Sequence, residues 1–234
     1  MIPRITFGTN CYEVDWQVLL KTDRLRRMID SNQFDFAERK LFVNNVKDPV
    51  QVVGEAQKAV DQGLLTSVVL VEPWAREALK FFDIKANSFH GGYFYSISHL
   101  VNLYLCTTEY IVYFTADCCL THPARWIDPC LSRMDLDPNL KVSIPLWTSV
   151  GEAKKEAENE EDDFFVGYGF SDQCYLIRTQ DYRARIYNEW NPLSSRYPVY
   201  AGASWERRVD SWMRNHRYKR LTYKHASYIH RKIY

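Results

Sequence analysis

At 234 residues, with 46% hydrophobic and 25% charged residues, the chain is long enough for one large domain with a substantial core and too short for two generous ones. That composition excludes disorder over most of the length. Thirty basic against 29 acidic residues, a net charge of +1, exclude recognition of nucleic acid or membrane by overall charge. Aromatic residues reach 15%, enough to supply ring-stacking surfaces as well as core. The first seven residues run into a strand without a signal-peptide h-region, and the six cysteines show no C-x-x-C pair. Reduced thiols and a cytoplasmic protein are expected. The stretch 86–108 lacks Asp, Glu, Lys and Arg but holds too many other polar residues for a membrane span.

Residues 4–9 read as a first strand leading into Gly8, Thr9 and Asn10, a small polar turn at which a ligand can approach the backbone. A helix follows, with Val14, Val18, Leu19, Leu25, Met28 and Ile29 at helical spacing. Residues 40–46 are the second strand. Asp48 is an N-cap before Pro49 at the first helical position, and Gly63 stops the helix over 50–62. The uninterrupted apolar run 67–71 predicts a third strand in the middle of a parallel sheet. Pro73 starts a helix to residue 82, the loop 87–92 leads into a helix over 96–106, and 110–114 is the fourth strand. Four alternations of strand and helix predict βαβ crossovers and a mostly parallel sheet.

The fourth strand stops at Asp117. An acid there faces the cleft of an open α/β sheet; it would serve equally to cap a helix or open a turn. Beyond it, Pro123 and Trp126 begin a helix and 142–144 is a short strand. Residues 152–163 hold seven acids and two lysines without an apolar stripe, which predicts a mobile surface loop or frayed helix. Strand character resumes at 164–166 and 174–177, followed by a helix over 181–190, a loop over 191–202 and a final helix over 204–216. After Glu206 the bases Arg207, Arg208, Arg214, Arg217, Lys219, Arg220, Lys224, Arg231 and Lys232 face one acid, Asp210. This end reads either as a surface for an anionic ligand or as a solvated helix face.

The order of these pieces, and three short segments within it, resembles GT-A type nucleotide-sugar-dependent glycosyltransferases of the family 2 kind. Residues 98–119 match the donor half, in which a helix, an acidic junction at Glu109 and a hydrophobic strand lead to an Asp-x-Asp motif. Here the triplet is Thr115-Ala116-Asp117, with threonine in place of the first acid. The resemblance implies that Asp117 binds a divalent metal, Mn2+ or Mg2+, and that Thr115 offers a hydroxyl to the nucleotide. A hard cation on the diphosphate neutralises the charge that builds as the sugar departs. Residues 203–210 resemble the helix that opens with a general base, which implies Glu206, with Asp210 one turn along in reserve. Without the resemblance Glu206 reads as a carboxylate that only caps its helix. Tyr228-Ile229-His230 resembles the C-terminal histidine returned to the metal, with His225 as competitor. Residues 169–175 look like the acceptor-side segment, giving Asp172 acceptor hydroxyls or the role of substitute base. Gly8, Thr9 and Asn10 match the first-strand exit that contacts nucleotide, and His90 and His99 fall near positions that touch the donor.

The resemblance thus implies a GT-A, Rossmann-like α/β/α sandwich with a mostly parallel mixed sheet over 1–234, with a donor half over 1–120 and an acceptor half over 121–234. It implies inverting transfer from a UDP- or GDP-linked sugar to a saccharide or lipid-linked acceptor, in bacterial surface polysaccharide or glycoconjugate synthesis. The basic end would allow peripheral contact with the inner face of the membrane. A catalytically inactive nucleotide-sugar-binding protein is a second reading, suggested by Thr115. A sugar nucleotidyltransferase is a third, but the sequence from Gly8 to Asp15 lacks the Gly-rich, basic phosphate loop it needs.

Overall fold

The computed structural model describes residues 3–197 and 201–231. Strand β1 (Ile5–Cys11) is buried at every position. Helices α1 (Trp16–Lys21) and α2 (Arg24–Asp30) follow where the apolar spacing predicts one helix. The break falls at Thr22, whose hydroxyl donates to the Val18 carbonyl at 2.6 Å and accepts from the Arg24 amide at 3.2 Å. A threonine bonded to its own turn competes with the helical ladder. Then β2 (Glu38–Val43), α3 (Pro49–Asp61), β3 (Ser67–Leu70), α4 (Glu72–Phe81) and α5 (Tyr93–Leu105) alternate as predicted. Asp48 caps α3 by accepting the Gln51 amide at 2.9 Å, and Gly63 takes a φ of +70° just beyond the helix end. Strand β4 (Tyr110–Thr115) ends two residues before Asp117, and β5 (Cys118–Leu120) follows at once.

The second half contains α6 (Ile127–Leu136), β6 (Leu140–Leu146), α7 (Val150–Glu156), β7 (Ala157–Glu160) and β8 (Phe164–Gly167). It closes with β9 (Cys174–Arg178), α8 (Thr179–Tyr182), α9 (Trp205–Asn215) and β10 (Lys219–His230). The sheet runs β3-β2-β1-β4-β9-β6-β10-β8-β7, with β5 paired to β10. The first four strands are mutually parallel and β6 is parallel to β10, while β9 and β8 run against their neighbours. Successive residues of β4 point to opposite faces. Val112 and Phe114 join a core under α1, α2, α3 and α6, and Ile111 and Tyr113 join one under α4, α5 and α9. The architecture is an α/β/α sandwich on a mixed, mostly parallel sheet.

Several predictions change. The apolar strand β3 lies at the sheet edge, not its middle; Val68 and Leu70 pack toward one helical layer and Val69 toward the other, so both faces are apolar there too. The acidic stretch 152–163 folds into the end of α7 and the edge strand β7, because its acids meet bases. Glu160 pairs with Lys154 and Lys224, Glu158 with Lys219, and Glu161 with Arg133 at 2.7 Å. The helix predicted over 181–190 stops at Tyr182; Arg183 and Asn188 instead donate to carbonyls of other segments, Cys106 and Asp83 among them. The basic end is divided: Arg207, Arg208 and Arg214 lie on α9, while Lys219, Arg220 and Lys224 lie on β10, the longest described strand.

Gly8, Thr9 and Asn10 lie inside β1 and not in a turn. Gly8 is needed for packing: a Cβ there would sit 2.8 Å from Tyr113 Cδ2 and 3.0 Å from Asn102 Nδ2. Gly8→Ala is expected to lower stability by about 1–3 kcal/mol, read as a lower urea midpoint at unchanged slope. An unchanged midpoint would show that the buried Tyr113 ring can move aside.

Candidate active site

Strands β1, β4, β6 and β10 end on the same side of the sheet, and β9 begins there. Antiparallel pairing sets His230 opposite Cys118 and Ile229 opposite Cys119. This brings His230 Nε2 to 2.7 Å from Asp117 Oδ2 across 113 residues of sequence. The other ring nitrogen, Nδ1, accepts from Gln173 Nε2 at 3.0 Å, which leaves the ring proton on Nε2 for Asp117; binding a cation through Nε2 requires the Gln173 amide to turn its oxygen toward Nδ1. Thr115 donates its hydroxyl to Asp117 Oδ1 at 2.8 Å, and its amide donates to the Gln173 carbonyl at 2.9 Å. Thr115 therefore orients Asp117.

The electrostatics single out one acid. Burial pushes Asp117 up, but hydrogen bonds from His230 and Thr115 outweigh it and leave the carboxyl below its ordinary value. The same bond to Asp117 raises His230. Asp172 is driven up to about 6 by burial and then by the charge of Asp117. Asp15, buried beside the amide of Tyr12, which it accepts at 2.7 Å, is pushed to about 7 mainly by burial. Asp117 is thus the carboxylate of the three best held in its charged form. Its oxygen and the imidazole nitrogen are donors that suit Mn2+, and the Cys118 thiol belongs to the same group of atoms, all within 4.8 Å of one another. The residues fit a divalent cation.

Glu206 is the second residue of α9, a helix capped by Ser204. Its Oε1 accepts the Asp172 amide at 3.3 Å, and its side chain lines a recess of about 170 Å3 shared with Trp147, Glu156, Gln173, Arg220 and Tyr228. Asp117, His230, Gln173, Asp172 and Glu206 are therefore linked into one cluster. Gln173, Trp147 and Glu156 carry no signal in the sequence; they are single residues in a loop, after a strand and at a helix end.

Several candidates stand elsewhere. Asp210 is fully buried and accepts from Ser194 Oγ at 2.6 Å and Arg214 Nε at 2.8 Å, so it ties α9 to the turn over 192–196 and cannot reach an acceptor. His99 is also core: Nδ1 lies 3.0 Å from the Tyr175 hydroxyl, the ring stacks 4.6 Å from Trp205, and burial lowers its pKa to about 3. It is a neutral packing residue, not a donor contact. Gly8, Thr9 and Asn10 are closed off within β1, so they do not form an open nucleotide-binding edge. His225 is paired with Asp163 at 2.8 Å, and His90 is exposed with a φ of +48°; neither joins the cluster. A roomier recess, about 640 Å3, lies at the opposite end of the sheet, but its Arg178 and Arg183 are engaged by the carbonyls of Leu140, Leu103, Tyr104 and Cys106.

The structure of GalNAc-T7 with UDP, GalNAc and Mn2+ superposes on 98% of this chain, with a TM-score of 0.56 at 10% identity. The chain has the GT-A fold. It spans 43% of the GalNAc-T7 chain, less than half of its length. Glucosyl-3-phosphoglycerate synthase from Mycobacterium tuberculosis, solved with Mn2+, UDP and glucosyl-3-phosphoglycerate, aligns over 76% of this chain and 57% of its own, at 14% identity and a TM-score of 0.41. No protein-family model matches the chain, and no curated protein sequence is similar to it. The site described above occupies the end of this GT-A sheet at which β1 and β4 terminate.

Asp15 gives the site a measurable pH signature. Its native pKa, about 7, lies above the ordinary 3.8, so the stability it contributes is complete below the ordinary value and lost as pH rises through the native one. Asp15→Asn keeps an oxygen for the Tyr12 amide and removes that loss. The variant is expected to exceed the wild type in thermal stability near pH 8 by up to a few kcal/mol and to match it near pH 4. Equal stability at both pH values would show that Asp15 is solvated.

Proposed function

We propose that the protein is a divalent-metal-dependent, inverting glycosyltransferase that moves a sugar from a nucleoside diphosphate to a hydroxyl acceptor. The observation that carries this reading is the Asp117–His230 pair, 2.7 Å apart at the strand ends of a GT-A sheet, with Glu206 across the adjoining recess. Asp117 and His230 would hold the cation, Mn2+ or Mg2+, and Thr115 and Gln173 keep those two side chains in place. When bound, the cation supplies neutralisation of the diphosphate leaving group.

Glu206 accepts the proton of the acceptor hydroxyl as its oxygen bonds to the anomeric carbon. The bond from that carbon to the diphosphate oxygen breaks, and its electron pair leaves on the diphosphate. A base facing the acceptor directly supports inversion. Asp172, whose amide donates to Glu206, would contact the acceptor hydroxyl. UDP is the first nucleotide to test, since GalNAc-T7 was solved with UDP and Mn2+. The alternative of a catalytically inactive nucleotide-binding protein is favoured by Thr115 standing in place of the first acid; it would bind UDP and cleave no donor.

The reading extends to the assembly of bacterial surface polysaccharide or glycoconjugate. Six free cysteines suit a reducing cytoplasm, and no described helix is long and apolar enough to cross a membrane. The basic end lends membrane contact little support. Arg208 is buried against carbonyls of Ala203, Tyr187 and Ser88, Arg214 pairs with Asp210, and Arg220 and Lys224 pair with Glu156 and Glu160. Lys232 lies outside the described residues.

Two variants separate the roles. Glu206→Gln is expected to keep nucleotide binding and lose transfer by roughly 10²–10⁴-fold; undiminished transfer would move the base to Asp172. Asp117→Asn is expected to lose the Mn2+ dependence of UDP binding, measured by calorimetry. Unchanged affinity and metal dependence would contradict the assignment of the site.

A further inference from the structure

Asp117 and His230 share a third neighbour, Cys118. Residues directly opposite one another in an antiparallel pair carry their side chains on the same face. His230 is opposite Cys118, whereas Cys119 is opposite Ile229 and turns to the other face of β5. Of the two adjacent cysteines it is therefore Cys118 that stands beside the histidine. The Thr115 hydroxyl lies 3.1 Å from its Sγ and 2.8 Å from Asp117 Oδ1, and Sγ itself lies 3.8 Å from that carboxylate oxygen. Sγ, a carboxylate oxygen of Asp117 and a ring nitrogen of His230 all fall within 4.8 Å of one another; among the described residues no other three His, Cys, Asp or Glu side chains do so. Exposure is graded across the three. Cys118 is fully buried, while the side chains of Asp117 and His230 are 27% and 46% exposed, so the sulfur forms the inner wall of the cluster and the other two donors its solvent side.

One sulfur, one nitrogen and one oxygen differ in character from the all-oxygen shell that suits Mg2+. Three protein ligands with a position left open are the pattern of a catalytic Zn2+ site, and a thiolate favours Zn2+ or Co2+ over Mg2+ and Mn2+. We infer that Cys118 is a third ligand of the cation held by Asp117 and His230, and that its sulfur turns the site toward zinc-like cations and away from Mg2+. The thiol gives its proton to solvent as the sulfur takes up the cation. This rests on the metal site of the transferase reading above and narrows which cation that site takes.

Co2+, whose thiolate complexes absorb in the near ultraviolet, tests this when titrated into the metal-free full chain without nucleotide. The wild type is expected to develop a sulfur-to-cobalt band that Zn2+ displaces and Mg2+ does not. X-ray absorption of its Zn2+ form should find one sulfur at about 2.3 Å from the metal. Cys118→Ser should lose the band and bind Zn2+ at least about tenfold more weakly, with little change in its affinity for Mg2+, whereas Cys119→Ser should behave as the wild type. A Zn2+ shell of nitrogen and oxygen alone in the wild type, or a cobalt band that survives in Cys118→Ser, would overturn the inference; the first of these needs no variant to fold. If Zn2+ and Co2+ bind without sulfur and lose affinity in His230→Ala, the metal site stands and Cys118 is a core thiol only. If none of Mg2+, Mn2+, Co2+ and Zn2+ binds, the metal site of the transferase reading fails and the inference fails with it.

Discussion

The pairing of β10 with β5 decides whether this molecule has a site at all. It carries the last described strand back to the tip of β4 and sets His230 opposite Cys118, beside Asp117. A slip of one residue would turn His230 to the other side of the strand and leave Asp117 without its partner. The register is held along the rest of β10 by β6 on one side and β8 on the other. The acidic segment around β7 reinforces it, because Lys219, Arg220 and Lys224 of β10 are met by Glu158, Glu156 and Glu160. A stretch with no apolar stripe thus has a structural role: it neutralises the strand whose far end delivers the histidine.

The same geometry settles which acid carries charge. The charge of Asp117 raises both Asp15 and Asp172, so the three carboxylates cannot all ionise cheaply away from water. Asp117 alone of the three receives side-chain hydrogen bonds from both His230 and Thr115. Threonine at the position of the usual first acid therefore lowers the crowding of negative charge at the strand end and still orients the remaining carboxylate. Beyond that point the recess is bordered by Glu206 and Glu156, with Arg220 3.4 Å from Glu156.

Much of this is legible in the sequence. The alternation of apolar strands and helices up to Asp117, the Asp48-Pro49 helix start and the parallel sheet follow from local patterning, which the structure keeps. What escaped was set by distant partners. The acids of 152–163 look solvated until the bases of β10 are seen opposite them. The strand character of β10 is masked by lysines and arginines whose charges are met across the sheet. His99 and Asp210 have the chemistry of functional residues, but burial against Trp205 in one case and Arg214 in the other makes them structural. Gln173 has no pattern to mark it; its place behind His230 exists only once β4, β9 and β10 meet.

Asp117 and His230 are proposed to hold a divalent cation together at the end of β4. Crystals grown with Mn2+ and UDP, measured for anomalous scattering from manganese, test it most directly. A single strong peak is expected within coordination distance of an Asp117 carboxylate oxygen and His230 Nε2, with the diphosphate on its open side. Manganese bound elsewhere, or a UDP complex formed with Asp117 and His230 still bonded to each other and no peak between them, would contradict it.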